Sequence, residues 1–150
     1  MKGISLSQAV LENLVAHLEE VENGKNKIFD QYFPEPSKDR YDFEDLYESY
    51  IKKLGDLVRN AQKSDEYGFE VPFVIIGSMV EVQDLASQEV LRYRIVNPSK
   101  NSIGYGDVSC LSPVGKSLLL KKPGDEIEVN APGGLFRYRI VSVRLGDNVG

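Results

Sequence analysis

A cluster of acidic side chains follows a proline-rich segment, and their carboxylates could do chemistry. Asp42, Asp45 and Glu48 recur at intervals of three, so a helix would place them on one face. Carboxylate oxygens bind Mg²⁺ or meet a basic surface of a partner. A solvated helix face is the structural alternative, because acids near a helix N-terminus also favour the helix dipole. The whole cluster is Glu35, Asp39, Asp42, Glu44, Asp45 and Glu48, with Lys38 and Arg40 as its only bases, so two positive and six negative charges give −4.

The segment from Cys110 to Ser117 resembles a phosphate-binding loop only in its last three residues. Cys110 stands where that loop needs its first glycine, and Pro113 lacks one of the required N–H donors. We interpret the segment as a helix start, with a proline in the first turn and Gly115 allowing close packing.

His17 and Cys110 are the only histidine and the only cysteine of the chain. One of each cannot complete a protein zinc site, and nothing in the spacing brings His17 to a nucleophile and an acid. His17 is expected mid-helix, away from the apolar seam, and Cys110 is expected to be a small buried hydrophobe in an apolar strand.

The first half of the chain has helical spacing. A helix is predicted from an N-cap at Ser5 or Ser7, and we favour an unbroken helix through Asn23-Gly24. Residues 33–37 contain two prolines and predict a turn. Residues 1–65 are therefore predicted to form an antiparallel helical hairpin, or coiled coil. Its seams are Leu11, Leu14, Leu18, Val21, Ile28 and Tyr32 on one helix, and Phe43, Tyr47, Tyr50, Leu54, Leu57 and Ala61 on the other.

Beyond residues 63–73 the spacing becomes that of β-strands. Strands are predicted at 80–85, 90–96, 108–111, 127–129 and 136–143, with a short helix at 115–122. Ala131-Pro132-Gly133-Gly134 indicates a hairpin between the last two strands. The fold class is α+β, with an antiparallel sheet carrying one short helix in a second domain, residues 74–147.

Length and composition set the limits for function. The chain has 150 residues and a net charge of −5, which argues against a protein that binds nucleic acid over its whole surface. Its apolar runs are far shorter than the roughly 20 residues of a membrane span, and its N-terminus does not read as a secretory signal. A single cysteine fits a reducing compartment, so we predict a cytoplasmic protein with no membrane partner.

The second half contains motifs that are recognisable in their order and spacing. They resemble the C-terminal domain of the bacterial GreA/GreB transcript cleavage factors. The matching segments are Ile76–Val82, Tyr93–Val96, Leu111–Leu119, Lys122–Val129, and Ala131–Gly134 followed by Tyr138–Ile140.

The resemblance implies an FKBP-like C-terminal domain that docks on bacterial RNA polymerase, and a coiled coil that enters its secondary channel. It implies polymerase contacts at Ser112, Pro113, Gly115 and Lys116. Asp42 and Asp45 look like the family's tip acids, which help hold the Mg²⁺ of the polymerase active site while the polymerase cleaves backtracked RNA. The protein would then be a monomeric accessory factor and not an enzyme, with no tightly bound cofactor, meeting nascent RNA and DNA only within the elongation complex.

The first half departs from the family pattern, because the second helix is about two heptads shorter than usual. A loss of some ten residues withdraws the tip by roughly 15 Å. Counting from the helix ends also places the tip at residues 33–37, with Asp42 and Asp45 a turn or more behind it. A channel-occupying regulator or inhibitor that does not stimulate cleavage is therefore the alternative.

Two other classes of function stay open. One is a peptidyl-prolyl isomerase, because the fold of the second half resembles FKBP. The sequence alone does not identify its aromatic proline pocket among Tyr93, Tyr105, Phe136 and Tyr138. The other is a coiled-coil protein with a partner other than polymerase. A set of basic residues either faces RNA or polymerase, or lies on the solvent side of the strands: Lys100, Lys116, Lys121, Lys122, Arg92, Arg94, Arg137 and Arg139.

Overall fold

The computed structural model describes residues 5–64, 69–98 and 106–145. The chain divides into two compact units, Met1–Gly68 and Phe69–Gly150. The first unit is helical and the second is built on a sheet, so the predicted α+β class is confirmed. No helix in the described ranges is both long enough and apolar enough to cross a membrane.

The first unit is a helical hairpin closed by a pair of short strands. Its elements are β1 (Ser5–Ser7), α1 (Gln8–Tyr32), α2 (Lys38–Asn60) and β2 (Gln62–Ser64). The Ser7 side chain caps α1 by accepting a hydrogen bond from the backbone N–H of Val10, 3.3 Å away. Helix α1 runs unbroken through Asn23 and Gly24, as predicted. Strand β1 pairs in parallel with β2, and Leu6 is opposite Lys63.

The two helices pack antiparallel, as their cross-contacts show. His17 meets Tyr50 near the open end, Lys25 meets Glu48 further along, and Phe29 meets Phe43 near the loop. The predicted seam of α2 is confirmed from Phe43 to Leu57. Ala61, the last predicted member, is the C-cap residue of the helix. The buried side chains of the hairpin are Val10, Leu14, Val21, Ile28, Phe29, Phe43, Tyr47, Tyr50, Leu54 and Leu57.

The α1 seam differs from the prediction. Val10 and Phe29 are buried, whereas Leu11, Leu18 and Tyr32 are only partly buried. Leu14, Val21 and Ile28 are buried at intervals of seven residues, so one row of the predicted seam is confirmed and the other row is only partly covered.

The second unit holds a five-stranded sheet with the order β5-β4-β3-β7-β6. Three pairs are antiparallel, whereas β5 runs parallel to β4, so the sheet is mixed and not wholly antiparallel as predicted. Helix α3 covers one of its faces. The elements are β3 (Ser78–Asp84), β4 (Val90–Val96), β5 (Asp107–Ser109), α3 (Pro113–Leu118), β6 (Glu126–Ala131) and β7 (Gly134–Leu145).

The two faces of this sheet have different chemistry. The covered face is apolar, with Val80, Ile95 and Val129 fully buried. The other face carries cross-strand ion pairs that join Arg92 to Glu81 at 3.1 Å, Arg137 to Glu128 at 2.9 Å and Arg139 to Glu126 at 2.6 Å. Three of the predicted basic residues therefore lie on the solvent side of the strands, each paired with a carboxylate. Lys100 lies outside the described residues.

Candidate functional site

The turn between the helices lies at Phe33–Ser37, where the sequence predicted it. The backbone N–H of Phe33 donates to the carbonyl of Phe29 at 2.9 Å and ends α1. The Ser37 hydroxyl accepts from the backbone N–H of Arg40 at 3.0 Å and begins α2. The chain therefore reverses within these residues, which we call the tip loop.

Asp42 and Asp45 lie on α2 behind the tip loop. They are separated from the first residue of the helix by four and seven positions, which corresponds to roughly 6 and 10 Å along its axis. Both side chains are exposed. The Asp42 carboxylate lies 2.8 Å from the ammonium of Lys38, whereas Asp45 has no ion pair or hydrogen bond within the described part of the chain. Glu48, the third acid of the row, pairs with Lys25 at 2.7 Å.

Asp42 and Lys38 lie one helical turn apart on α2, and their ion pair is exposed to solvent. The hydrogen bond to Asp42 and the charges of Asp42 and Asp39 raise the pKa of Lys38, so the ammonium stays protonated. Such surface pairs contribute little to stability. The Asp42 carboxylate is thus available to a stronger ligand that can replace Lys38.

Asp42 and Asp45 offer carboxylate oxygens, which are the donors that Mg²⁺ prefers. In the three described ranges, no group of three or more His, Cys, Asp or Glu side chains is close enough together to hold a metal ion. Two exposed carboxylates, three residues apart on one helix face, can add oxygen ligands to an ion already bound elsewhere. Asp42 and Asp45 are the residues that would supply them.

Aromatic rings hold the tip loop against both helices. The ring of Phe33 stacks on that of Phe43 with centroids 5.6 Å apart, and Phe29 lies 6.0 Å from Phe33 and 5.8 Å from Phe43. The guanidinium of Arg40 lies over the Phe29 ring, 5.6 Å from its centroid, and donates to the carbonyl of Phe33. From the sequence, Arg40 is only one of the two bases of the acidic cluster. The signal for its structural role is that the last turn of α1 contains no basic residue of its own.

His17 lies in the helix interface, which corrects its predicted place away from the seam. Its Nε2 atom is 2.7 Å from the hydroxyl oxygen of Tyr50, and the two rings meet edge to face. Burial lowers the pKa of His17 from 6.5 to about 4, so the ring is neutral at neutral pH. This histidine is a structural group of the hairpin.

The four predicted polymerase-binding residues at α3 are of two kinds: two hold the backbone in place and two are exposed. Ser112 caps the helix: its hydroxyl accepts from the N–H of Gly115 at 3.0 Å and donates to the carbonyl of Ser109 at 2.7 Å. A Cβ atom on Gly115 would lie 2.0 Å from that same carbonyl oxygen. Pro113 and Lys116 are exposed. Ser112 and Gly115 therefore build the segment, and Pro113 and Lys116 present its surface.

The same geometry supports the helix-start interpretation of residues 110–117. Pro113 stands in the first turn of α3, and Gly115 gives the close approach to β5 that the sequence predicted. Cys110 is fully buried, as expected, although it lies in the turn after β5 and not in a strand. Burial raises the pKa of its thiol to about 12, so it stays protonated and unreactive at neutral pH.

The aromatic residues considered for a proline pocket pack against one another. The Phe136 and Tyr138 rings stack with centroids 6.2 Å apart, and the Tyr93 and Tyr138 hydroxyls lie 3.3 Å from each other. Burial, with the hydrogen bond between the Tyr138 and Tyr93 hydroxyls second, raises the pKa of Tyr138. Tyr105 lies outside the described residues.

Comparison with known proteins points to one family. Residues 70–145 match the family described as "Transcription elongation factor, GreA/GreB, C-term". The chain is 31% identical over 102 residues to transcription elongation factor GreA of Desulfotalea psychrophila, which covers 68% of this chain and 63% of that protein. It is 45% identical over 98 residues to GreA of Methylococcus capsulatus, covering 65% and 62%. These alignments span less than two thirds of the relatives' own length.

Solved structures to which the chain is similar include a prokaryotic transcription elongation factor GreA/GreB from Nitrosomonas europaea. Its TM-score is 0.48 at 26% identity, covering 96% of this chain and 99% of that one. A second is GreA factor homolog 1 of Thermus thermophilus, with a TM-score of 0.42 at 25% identity and coverage of 95% and 99%.

Proposed function

We propose, because this chain belongs to the GreA/GreB family of transcription elongation factors, that it binds bacterial RNA polymerase and acts on it as an elongation factor. The observation that carries this proposal is the family match over residues 70–145, which includes every described strand of the second unit's sheet together with α3. The protein would be an accessory factor, and the RNA hydrolysis would be the polymerase's own. With this partner the protein would act in the cytoplasm, and we propose further that it is a monomer that meets RNA and DNA only in the elongation complex.

The second unit would supply the docking contact. Pro113 and Lys116 are exposed on α3, while Ser112 and Gly115 fix the path of the backbone beneath them. An exposed lysine beside a rigid proline gives a partner both a charge and a shape to recognise. The unit's only described helix thus presents a contact whose backbone is held by hydrogen bonds within the unit.

The helical hairpin would supply the acids. Asp42 and Asp45 are exposed on one helix face and would add carboxylate ligands to the Mg²⁺ of the polymerase active site. A metal ion at such a site polarises phosphate oxygens and activates water for hydrolysis. Asp45 could bind the metal directly, whereas the ion pair between Asp42 and Lys38 must break before Asp42 can do so.

Channel occupation without cleavage is the second candidate function, and the position of the acids favours it. Asp42 and Asp45 lie roughly 6 and 10 Å behind the start of α2, so the tip loop precedes them along the hairpin. A metal ligand must lie within about 2.1 Å of Mg²⁺. If the tip loop meets the end of the channel first, these carboxylates stop short of the metal and the hairpin only obstructs the channel.

RNA cleavage in a backtracked elongation complex tests both candidates, with polymerase binding measured in the same samples. The variants are Asp42→Ala/Asp45→Ala and a matched control, Glu19→Ala/Glu22→Ala, which removes two exposed acids with the same spacing from α1. We expect the first variant to bind like wild type and to lose cleavage by on the order of tenfold or more, since metal contacts contribute several kcal/mol. The control should cleave like wild type.

The other outcomes have definite meanings. Wild type that binds polymerase but stimulates no cleavage identifies the channel-occupying regulator. Equal losses in both double variants would assign the effect to overall charge and not to the two tip acids. Absence of binding by wild type would refute the polymerase proposal as a whole.

A further inference from the structure

Arg40 joins the two ends of the hairpin turn. Its backbone N–H is bound by the Ser37 hydroxyl at the start of α2, while its guanidinium donates to the carbonyl of Phe33 at the end of α1. The same guanidinium lies over the ring of Phe29. One residue therefore contacts the last turn of α1, the residue that ends it and the residue that begins α2.

The end of α1 needs such a cation. Helix C-termini carry unpaired carbonyl groups and partial negative charge, which a nearby Lys or Arg satisfies. The last turn of α1 has no basic residue of its own, so Arg40 supplies this charge from α2. A planar guanidinium can donate and stack on a ring together, which an ammonium does less well.

Arg40 also differs from the other base of the acidic cluster. The Lys38 side chain is 88% exposed and pairs with Asp42, whereas Arg40 is only partly exposed and turns towards the rings. Arg40 thus does not neutralise Asp42 or Asp45. Its contacts fix the tip loop from which α2 and those two carboxylates emerge.

We propose that Arg40 is a positioning residue of the hairpin tip, holding the tip loop so that the acidic face of α2 meets the polymerase in one orientation. The effect of Arg40 on the polymerase rests on the proposed function, whereas the contacts that Arg40 makes in the tip are present in the free protein. Arg40 would determine how effectively a bound molecule acts, while the strength of polymerase binding is set elsewhere.

Amide hydrogen exchange of the full chain tests the contacts without polymerase. Three amides report on the tip, since Phe33 donates to Phe29, Arg40 to the Ser37 hydroxyl, and Tyr41 to the Ser37 carbonyl at 3.1 Å. We expect Arg40→Met, and less strongly Arg40→Lys, to speed exchange of these amides by about tenfold or more. The control is Arg59→Met, an exposed arginine near the other end of α2 that pairs with Asp56. Unchanged exchange in both Arg40 variants would overturn the proposal.

The functional consequence is measured by titrating each variant against backtracked complexes. We expect Arg40→Met to lower the maximal effect on the polymerase at least about threefold while the half-saturating concentration stays within twofold of wild type. A variant that shifts only the half-saturating concentration would make Arg40 a binding residue and overturn the proposal. If wild type itself has no effect on polymerase, the proposed function fails, and the exchange measurement still decides the role of Arg40 in the tip. Arg40→Lys keeps the charge, so it also serves if Arg40→Met does not fold.

Discussion

The Nε2 atom of His17 on α1 lies 2.7 Å from the hydroxyl oxygen of Tyr50 on α2, and the burial of this histidine between the helices makes hairpin stability depend on pH. Burial lowers the pKa of His17 to about 4 in the folded protein, against about 6.5 in the unfolded chain. The unfolded state therefore binds a proton between these pH values and the folded state does not. Stability is full above pH 6.5 and falls as the pH is lowered towards 4.

We predict that protonation of His17 in the unfolded chain lowers the free energy of unfolding by about 2 kcal/mol between pH 7 and pH 5. Urea unfolding of wild type and His17→Gln at both pH values measures it, because glutamine can still hydrogen-bond to Tyr50 and does not titrate. The difference between their pH slopes isolates the histidine from the carboxylates, which both proteins share. Equal slopes would contradict the prediction.

Gly115→Ala is predicted to destabilise the second unit by about 3 kcal/mol or more. The new Cβ would lie 2.0 Å from the Ser109 carbonyl oxygen and 3.0 Å from the Cα of Cys110, and both obstacles are backbone. Tyrosine fluorescence during urea unfolding reports this loss, since the chain has no tryptophan. Gly133→Ala is the control, because its Cβ would meet only the Phe136 ring at 3.6 Å. A normal midpoint for Gly115→Ala would show that α3 can move away from β5.

Gly24→Ala is predicted to stabilise the helical hairpin, in contrast to the destabilising Gly115→Ala. Gly24 lies within α1, and a Cβ there would meet nothing within 4 Å. Alanine in place of glycine in a helix interior stabilises by about 1 kcal/mol, mainly by restricting the unfolded chain. Thermal unfolding followed by circular dichroism at 222 nm should show a higher midpoint. An unchanged or lower midpoint would mean that flexibility at Gly24 contributes to the folded hairpin.

Local patterns predicted the elements that depend on local physics. The apolar spacing on α2, the two prolines of the tip loop and the alternation in Val90–Val96 each describe one segment and its solvent, and the helix, turn and strand that they predicted are confirmed. The alternation itself ends at Ile95 and Val96, which are both buried. The hairpin at Ala131–Gly134 is confirmed for the same reason, since turn chemistry is local.

What sequence could not predict depends on contacts between distant segments. Helix α3 was expected to reach Lys122 but ends at Leu118, because Leu120 N–H donates to the Val74 carbonyl and Val74 N–H donates to that of Lys121. The parallel direction of β5 likewise follows from its pairing with β4, which no short motif encodes. At the tip, the acids were visible in the sequence, whereas the contacts of Arg40 with Phe29 and Phe33 require both helices in place.

The two kinds of residue at α3 give a final prediction that separates folding from docking. Ser112→Ala removes the helix cap and the hydrogen bond to Ser109, so it should lower the stability of the second unit by about 1 kcal/mol. Lys116→Glu reverses an exposed charge, so it should leave stability unchanged and weaken polymerase binding by on the order of tenfold.

Unfolding in urea and equilibrium binding to purified core polymerase measure the two effects. Arg144→Glu is the matched control, since it makes the same charge reversal at an exposed position on β7. Binding that falls equally for Lys116→Glu and Arg144→Glu would show that polymerase senses only overall charge. Binding that falls for neither would contradict a role for Lys116 in docking, although Lys116 is one of the two exposed members of the predicted set.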